Sequence, residues 1–477
     1  MRALRGIGML TMTVFSAEIA ARRFGLLERD GHADADPRAA LLAQLDRPEA
    51  ARIAGPGTMT TMEVQEHGRE KARQAKARRE ALAERLASGA APEMQELPGP
   101  KLSVPSIGEI LGGELDLRLA KARETDTPFL ERLALFWTNA LTVSAERGNV
   151  GDYAGAFERE AIRPHLLGRF EDMLVAAATH PAMLLYLDNA GSYGPNSPLG
   201  RRTKRGVNEN LARETLELHT LGAEGGYTQG DVEELARTFT GWSKELRPDA
   251  GVPIGALMGA FPTFVEGMHE PGPRTILGKT YRQDGPAQLV AVLRDLARHP
   301  ATAHHVAQRL ALHFVGEACP AALTASLAQT FRETGGDLRA VYRVLVSDES
   351  AGSVPARRLR PPLEHLLVIA RLIGWTPKPG AAQPTLKALG QPYFRAPSPA
   401  GWPEKDDDWA SPVALKRRLD LVYGIAAQFE DRIDPRALAQ AAFGPWLSPA
   451  LARAVERAPS AREGLTLLLM SPEVVRR

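Results

Sequence analysis

The sequence predicts a mainly α protein, a multi-helix globular body with one short β-hairpin and long Pro/Gly-rich loops. Three observations carry this expectation. Segment after segment places apolar residues at helical spacing, bounded by Ser, Thr, Asp, Pro or Gly. β-type patterning is confined to GAFPTFVEGMHEPGPRTILGKTY, which reads as a loop with a hairpin between about Phe261 and Tyr281. The 477 residues, 44% apolar and 24% charged, have the make-up of an ordinary globular chain long enough for more than one domain-sized core.

The elements follow in order. MRALRGIGMLTMTVFSAEIAA opens with two arginines and a modest apolar stretch, which reads as a faint secretion signal interrupted by Glu18. The alternative is an over-extended gene start, with Ser16 capping a helix over SAEIAARRFGLL. We favour the second, which implies a cytoplasmic chain; the first implies a periplasmic or secreted one. Asp36-Pro37 starts DPRAALLAQL, which stops before Pro48. The run from Met62 to Ser88 is rich in helix formers and poor in large apolar residues, so it reads as a solvated helix rather than a partner-binding basic arm. GAAPEMQELPGPKLSVP is a linker. The expected division is therefore residues 1–15 as leader or misplaced start, 16–105 as a helical extension, and 106–477 as the main body opened by Ser106. Thr127-Pro128 caps a core helix, FLERLALFWTNALTVS. His180-Pro181 breaks the next helical run. Beyond the hairpin the helical segments resume, interrupted by GQPYFRAPSPAGWPEKDDDWASP, a loop too long for a tight turn.

Composition excludes several functions. Lys plus Arg is 59 and Asp plus Glu 57, so a formal charge of +2 gives no case for nucleic acid or an anionic membrane. One cysteine, Cys319, permits no internal disulfide, and no apolar run reaches membrane-spanning length. The nucleotide-loop, nucleophile-elbow and H-E-x-x-H signatures are missing.

The unusual stretch is Asp188 to Trp242. A loop dense in Gly, Pro, Asn and Ser, carrying Asp188, Asn189 and Asn196, ends in the basic turn Arg201, Arg202, Lys204, Arg205. Its backbone could cradle an anion, or it is simply a solvated turn. The helix after it carries Asn208, Asn210, Arg213, Glu214, Glu217 and His219. The plainer reading is a structural network, with Arg213 and Glu217 paired and buried. The functional reading is a cleft wall, with Glu214 or Glu217 as acid or base and Arg213 as an anion clamp. His269-Glu270 sits in an irregular loop, as a surface pair, an oriented histidine or part of a metal set. His305, Arg309 and His313 recur every fourth residue as a polar seam; the outer two lie about 12 Å apart along a helix axis, too far to share an ion. Arg360 with Glu364 reads as an i, i+4 ion pair. Trp402 offers a flat wall for a sugar ring or aromatic group.

Several of these motifs resemble the bacterial domain-of-unknown-function 1800 family. The match runs through HPAMLLYLDNAGSYGPNSPLGRR, NENLARETLELHTLGAEGGYTQGDVEELARTFTGW, HEPGPRTILGKTY, DLARHPATAHHVAQRLALHFV and SPAGWP. The resemblance implies a largely helical protein and names no activity. It also implies a partner, since relatives are often encoded beside a DUF1501-type protein that itself resembles sulfatases. Relatives often carry WHNHF where this chain has Thr138, Asn139 and Ala140, so histidine-based chemistry at that helix does not carry over. The expected function is binding or assembly through one polar cleft lined by the Asp188–Arg205 loop, the helix bearing Glu214, His269-Glu270 and the Gly401-Trp402-Pro403 loop, with a polar small molecule or glycan-like ligand. The alternative is a hydrolase or transferase on a polar, anionic or glycan-like substrate, with Glu214, Glu217 and His269 as acid–base groups or, with Asp188, as ligands of a divalent metal.

Overall fold

The computed structural model describes residues 15–27, 36–87, 105–148, 150–244 and 264–477. The readings of the extreme N-terminus, and nearly all of the linker before Ser106, lie outside them. Within them the protein is helical apart from a two-stranded hairpin and three isolated bridges. None of the described helices is long and apolar enough to cross a membrane.

Local sequence chemistry accounts for many boundaries. Ser16 accepts a hydrogen bond from the Ile19 amide and opens Ala17–Ile19, which continues into a wide-turned segment, Ala20–Phe24. Asp36 caps Pro37–Gln44. Ser106 and Glu109 form a reciprocal capping box on Ile107–Glu124, and Thr228 with Asp231 forms another on Gln229–Phe239. Thr127 departs from expectation. It stands at the N-cap of Pro128–Ala140, but its hydroxyl does not cap; instead its amide donates to Thr125 Oγ1 at 3.1 Å. Thr61–Ala87 is a 27-residue helix that is almost wholly exposed beyond its first turns, as a solvated helix should be.

The hairpin pairs Arg274–Ile276 with Lys279–Tyr281. Leu277 (φ 49°) and Gly278 (φ 75°) form its turn, the two left-handed positions that a tight two-residue connection demands. Asp231 Oδ1 accepts from the Leu277 amide at 2.6 Å, so one carboxylate serves a helix cap and this turn.

The core centres on the Pro128–Ala140 helix. Phe24, Phe129 and Phe314 pack with centroids 5.6–5.7 Å apart, and Trp137 Nε1 donates to Tyr342 Oη at 2.6 Å. A second, polar layer runs through this interior. Glu158 bridges Arg118 and Arg163, all three buried. Glu364 receives Arg132, Arg360 and, at 3.0 Å, Arg477. Burial works to raise the Glu364 pKa, but the three guanidiniums outweigh it and hold the carboxyl far below its ordinary range.

Candidate functional site

The polar stretch from Asp188 is first of all a set of internal ties. Asp188 is left-handed (φ 58°) and its carboxylate pairs with Arg147 at the surface. Asn189 is buried and donates to the Phe239 carbonyl at 3.1 Å. Asn196 binds both oxygens of Glu270, through its amide at 2.8 Å and its side chain at 2.6 Å. His269 Nδ1 donates to the Thr240 carbonyl at 2.8 Å, while Thr240 Oγ1 accepts from the Glu270 amide. His269-Glu270 is therefore a buried fastening that closes two irregular loops on each other. Arg201 and Arg202 are exposed on the short helix Pro198–Thr203. Asn208 accepts from the Asn210 amide at 2.9 Å.

The helix itself corrects one expectation. Arg213 reaches back to Glu209 at 2.9 Å and not forward to Glu217, and both partners are about 40% exposed (42% and 37%). Gln229 completes the contact from the next helix. Glu217 accepts a long bond, 3.4 Å, from Tyr227 Oη. Glu214 is half-buried, and burial together with the Glu217 charge raises its pKa. After Glu214 the helix widens into a π-type segment, Thr215–Thr220, which turns His219 inward. Burial first, then Arg309 and His305, push His219 down to about 3, so it is neutral near pH 7.

A separate cavity lies at the far end of the same polar seam. About 100 Å³ in volume, it is walled by Leu135, Thr138 and Asn139, by His313, by Arg358, Leu363 and Glu364, and by the loop through Tyr393, Phe394, Trp402, Pro403 and Glu404. Of the expected cleft only Trp402 and Pro403 are in its lining; the Asp188–Arg205 loop, Glu214, Glu217, His269 and Glu270 are not there. The long Pro-rich loop is stapled into place. Gln391 Oε1 accepts from the Leu363 amide, the Phe394 carbonyl from the Ala145 amide at 2.7 Å, and the Ala396 carbonyl from Ser144 Oγ at 2.8 Å. Asn139 grips the Trp402 peptide from both sides, donating to its carbonyl at 3.0 Å and accepting from its amide at 2.7 Å. Gly401 makes that grip possible: its φ is +85°, and a Cβ there would stand 2.5 Å from the Asn139 carbonyl.

Several residues of the lining keep buried polar atoms with no hydrogen-bond partner: both Glu404 carboxylate oxygens, His313 Nε2, Thr138 Oγ1 and Arg118 Nη1, all out of solvent contact. His313 Nδ1 lies 3.6 Å from Glu404 Oε1, longer than a hydrogen bond. Burial works to raise the Glu404 pKa, but His313, Arg309 and Arg358 hold it down to about 2, so it is ionised near neutrality. Burial, then Arg477, push His313 down to about 3. Sequence reasoning had His313 and Trp402 in hand but missed Glu404. The available signal was its place directly after Gly401-Trp402-Pro403. Among the described residues no group of three or more His, Cys, Asp or Glu side chains is arranged to hold a metal ion. Of the expected metal set, Asp188, Glu217 and His269 each meet a different partner, Arg147, Tyr227 and the Thr240 carbonyl.

Fold and cavity together define a helical protein with charged clusters in its interior and a small, largely apolar-walled chamber beside them. The model for the family described as "Protein of unknown function (DUF1800)" matches residues 20–476, and the chain belongs to that family. No curated protein and no solved structure matches it.

Proposed function

We propose that this is a binding protein for a small polar ligand, seated in the cavity between Trp402 and the His313–Glu404 pair. One observation carries the reading: Thr138, His313 and Glu404, from three separate chain segments, line one chamber beside Trp402, and each keeps at least one side-chain atom without a hydrogen-bond partner. A buried acceptor left unpaired costs about 1–3 kcal/mol. A ligand or ordered water that satisfies several at once recovers much of that cost. The Asn139 clamp and the stapled loop pre-form the site, which lowers the ordering cost of binding.

The test needs no prior ligand. Purified protein is mixed with a small-molecule extract and desalted, and retained compounds are identified by mass spectrometry. Wild type should retain at least one compound that Trp402→Leu and Thr138→Val variants, both still folded, release. Equal retention by all three proteins would place binding outside this cavity. Co-purification with a DUF1501-type protein tests the partner that the family resemblance implies.

A second reading, acid–base chemistry by Glu214 beside Glu217, is favoured by the raised Glu214 pKa. Its test is turnover across ester, phosphate and glycoside substrates, with Glu214→Gln expected to abolish it. Turnover that survives the substitution removes the reading.

A further inference from the structure

We propose that the outer face of the helix Pro412–Ala426 docks a second copy of this chain, as an antiparallel two-fold dimer. The helix buries Arg418, Val422, Ile425 and Ala426. Leu415, Leu419 and Tyr423, spaced by four on the adjoining stripe, stay 37%, 45% and 39% exposed. The apolar face of this helix is therefore wider than the body covers. Val413 on the same helix is exposed, and so is Leu467 on the helix Ala461–Leu469, which packs against it. Among the described residues, the other exposed large apolar side chains are Met62 and Leu82, both on the solvated helix Thr61–Ala87. Scattered apolar residues mean little, but a cluster of this kind marks an interaction surface.

The charges beside the row select the occupant. Lys416 and Asp420 pair on one flank at 2.6 Å, so that rim offers no net charge to an anionic membrane. Arg417 turns away to the Ala388 carbonyl. The row is instead complementary to itself. Leu415 and Tyr423 stand four residues either side of Leu419. A two-fold axis through Leu419 stacks that residue on its equivalent and sets Leu415 against the second copy's Tyr423. Lys416 then falls two residues, about 3 Å along the helix axis, from the second copy's Asp420, within reach of a lysine side chain. Each copy contributes one such pair, so two opposite-charge contacts border one apolar centre.

Parallel stacking fails on the same charges. It would set Lys416 on Lys416 and Asp420 on Asp420. It would also bring together the two Arg462 guanidiniums, each 3.6 Å from its own Tyr423 ring centroid. The antiparallel pair avoids all three clashes, and its two-fold closes the assembly at two copies. The row is about 12 Å long, the centre of a small interface. Association in the micromolar range is therefore expected.

Sedimentation equilibrium of the full chain over a concentration series tests this. The mass should rise from the monomer value towards twice that value and no further. Leu419→Asp, at an exposed position, should hold the chain monomeric. Lys416→Asp should weaken association by about tenfold, by setting like charges across the axis. Adding Asp420→Lys to it should restore the dimer, because the exchanged pair is again self-complementary. Should Leu419→Asp lose the helical circular dichroism spectrum, the single and double charge variants decide. A wild-type chain that stays monomeric throughout overturns the proposal and leaves this face to another partner. A dimer that Leu419→Asp leaves intact overturns it by placing the contact elsewhere. A double variant no better than Lys416→Asp alone overturns it by removing the antiparallel pairing.

Discussion

Glu209 with Arg213, and Arg360 with Glu364, are ion pairs of identical sequence spacing and opposite circumstance. The first sits on the polar helix that dominates the sequence, yet both its partners keep about two-fifths of their side chains in water. The second opens the apolar helix Pro362–Ile373, and its members are 0% and 5% exposed, with Arg132 and Arg477 sharing the same carboxylate. Exposed pairs contribute about 0–1 kcal/mol, because water screens them and ordering two long side chains costs entropy. A buried carboxylate serving three guanidiniums is another matter: removing it leaves uncompensated charge in a dry interior. The density of charge along a helix therefore says little about where electrostatics bear on stability. The isolated carboxylate in an apolar helix is the one to watch.

The largest effect expected from this contrast is Glu364→Ala, which strands Arg132, Arg360 and Arg477. Stability in urea should fall by about 3–5 kcal/mol or more. A loss below about 1 kcal/mol would mean that water reaches the cluster, and the contrast would collapse.

An intermediate effect concerns pH. His365 is pushed down to about 4, chiefly by burial, and His219 to about 3, so both are neutral in the fold. In the unfolded chain they take up protons below about 6.5. Their neutral burial costs nothing above that value, and stability drains away as pH falls from there through the folded pKa. Each adds a slope of about 1.4 kcal/mol per pH unit inside the window. His365→Gln should remove one such proton from the slope measured between pH 6 and 4.5 by denaturant titration. An unchanged slope would show that His365 protonates in place.

The smallest effect should come from Arg213→Leu. It breaks the most conspicuous pair in the sequence and should cost less than about 1 kcal/mol. A loss of several kcal/mol would restore the buried network that the polar helix first suggests.

What could be read in advance follows the same line. Ser16, Asp36, Ser106 and Thr228 announced their helices because a cap is a contact within three residues. The hairpin was legible for the same reason. The loop bearing Trp402 was marked by its length and composition. Pairing of Arg213 with Glu209 rather than Glu217 was not decidable locally, since carboxylates lie one turn away on either side and Gln229 tips the choice. Glu404 was invisible because the feature that matters, the absence of a partner, depends on His313, Arg309 and Arg358 arriving from elsewhere. Likewise the i, i+4 reading of Arg360 and Glu364 was correct as far as it went, but it gave no hint of Arg132 or Arg477.

The Asn139 clamp has a kinetic side. It joins positions 263 residues apart, and Gly401 is shaped to admit it. Contacts that close so long a loop are slow to form, since the chain must surrender that entropy before the hydrogen bonds repay it. The segment carrying Trp402 has no regular structure of its own to form locally, so the Trp402 wall is expected among the last surfaces to arrive. Asn139→Ala should then leave the refolding rate almost unchanged and accelerate unfolding, the mark of a contact absent from the transition state. A newly made chain would pass through a compact form whose chamber still lacks its outer wall, and ligand present at that moment would act as a latch on the final closure.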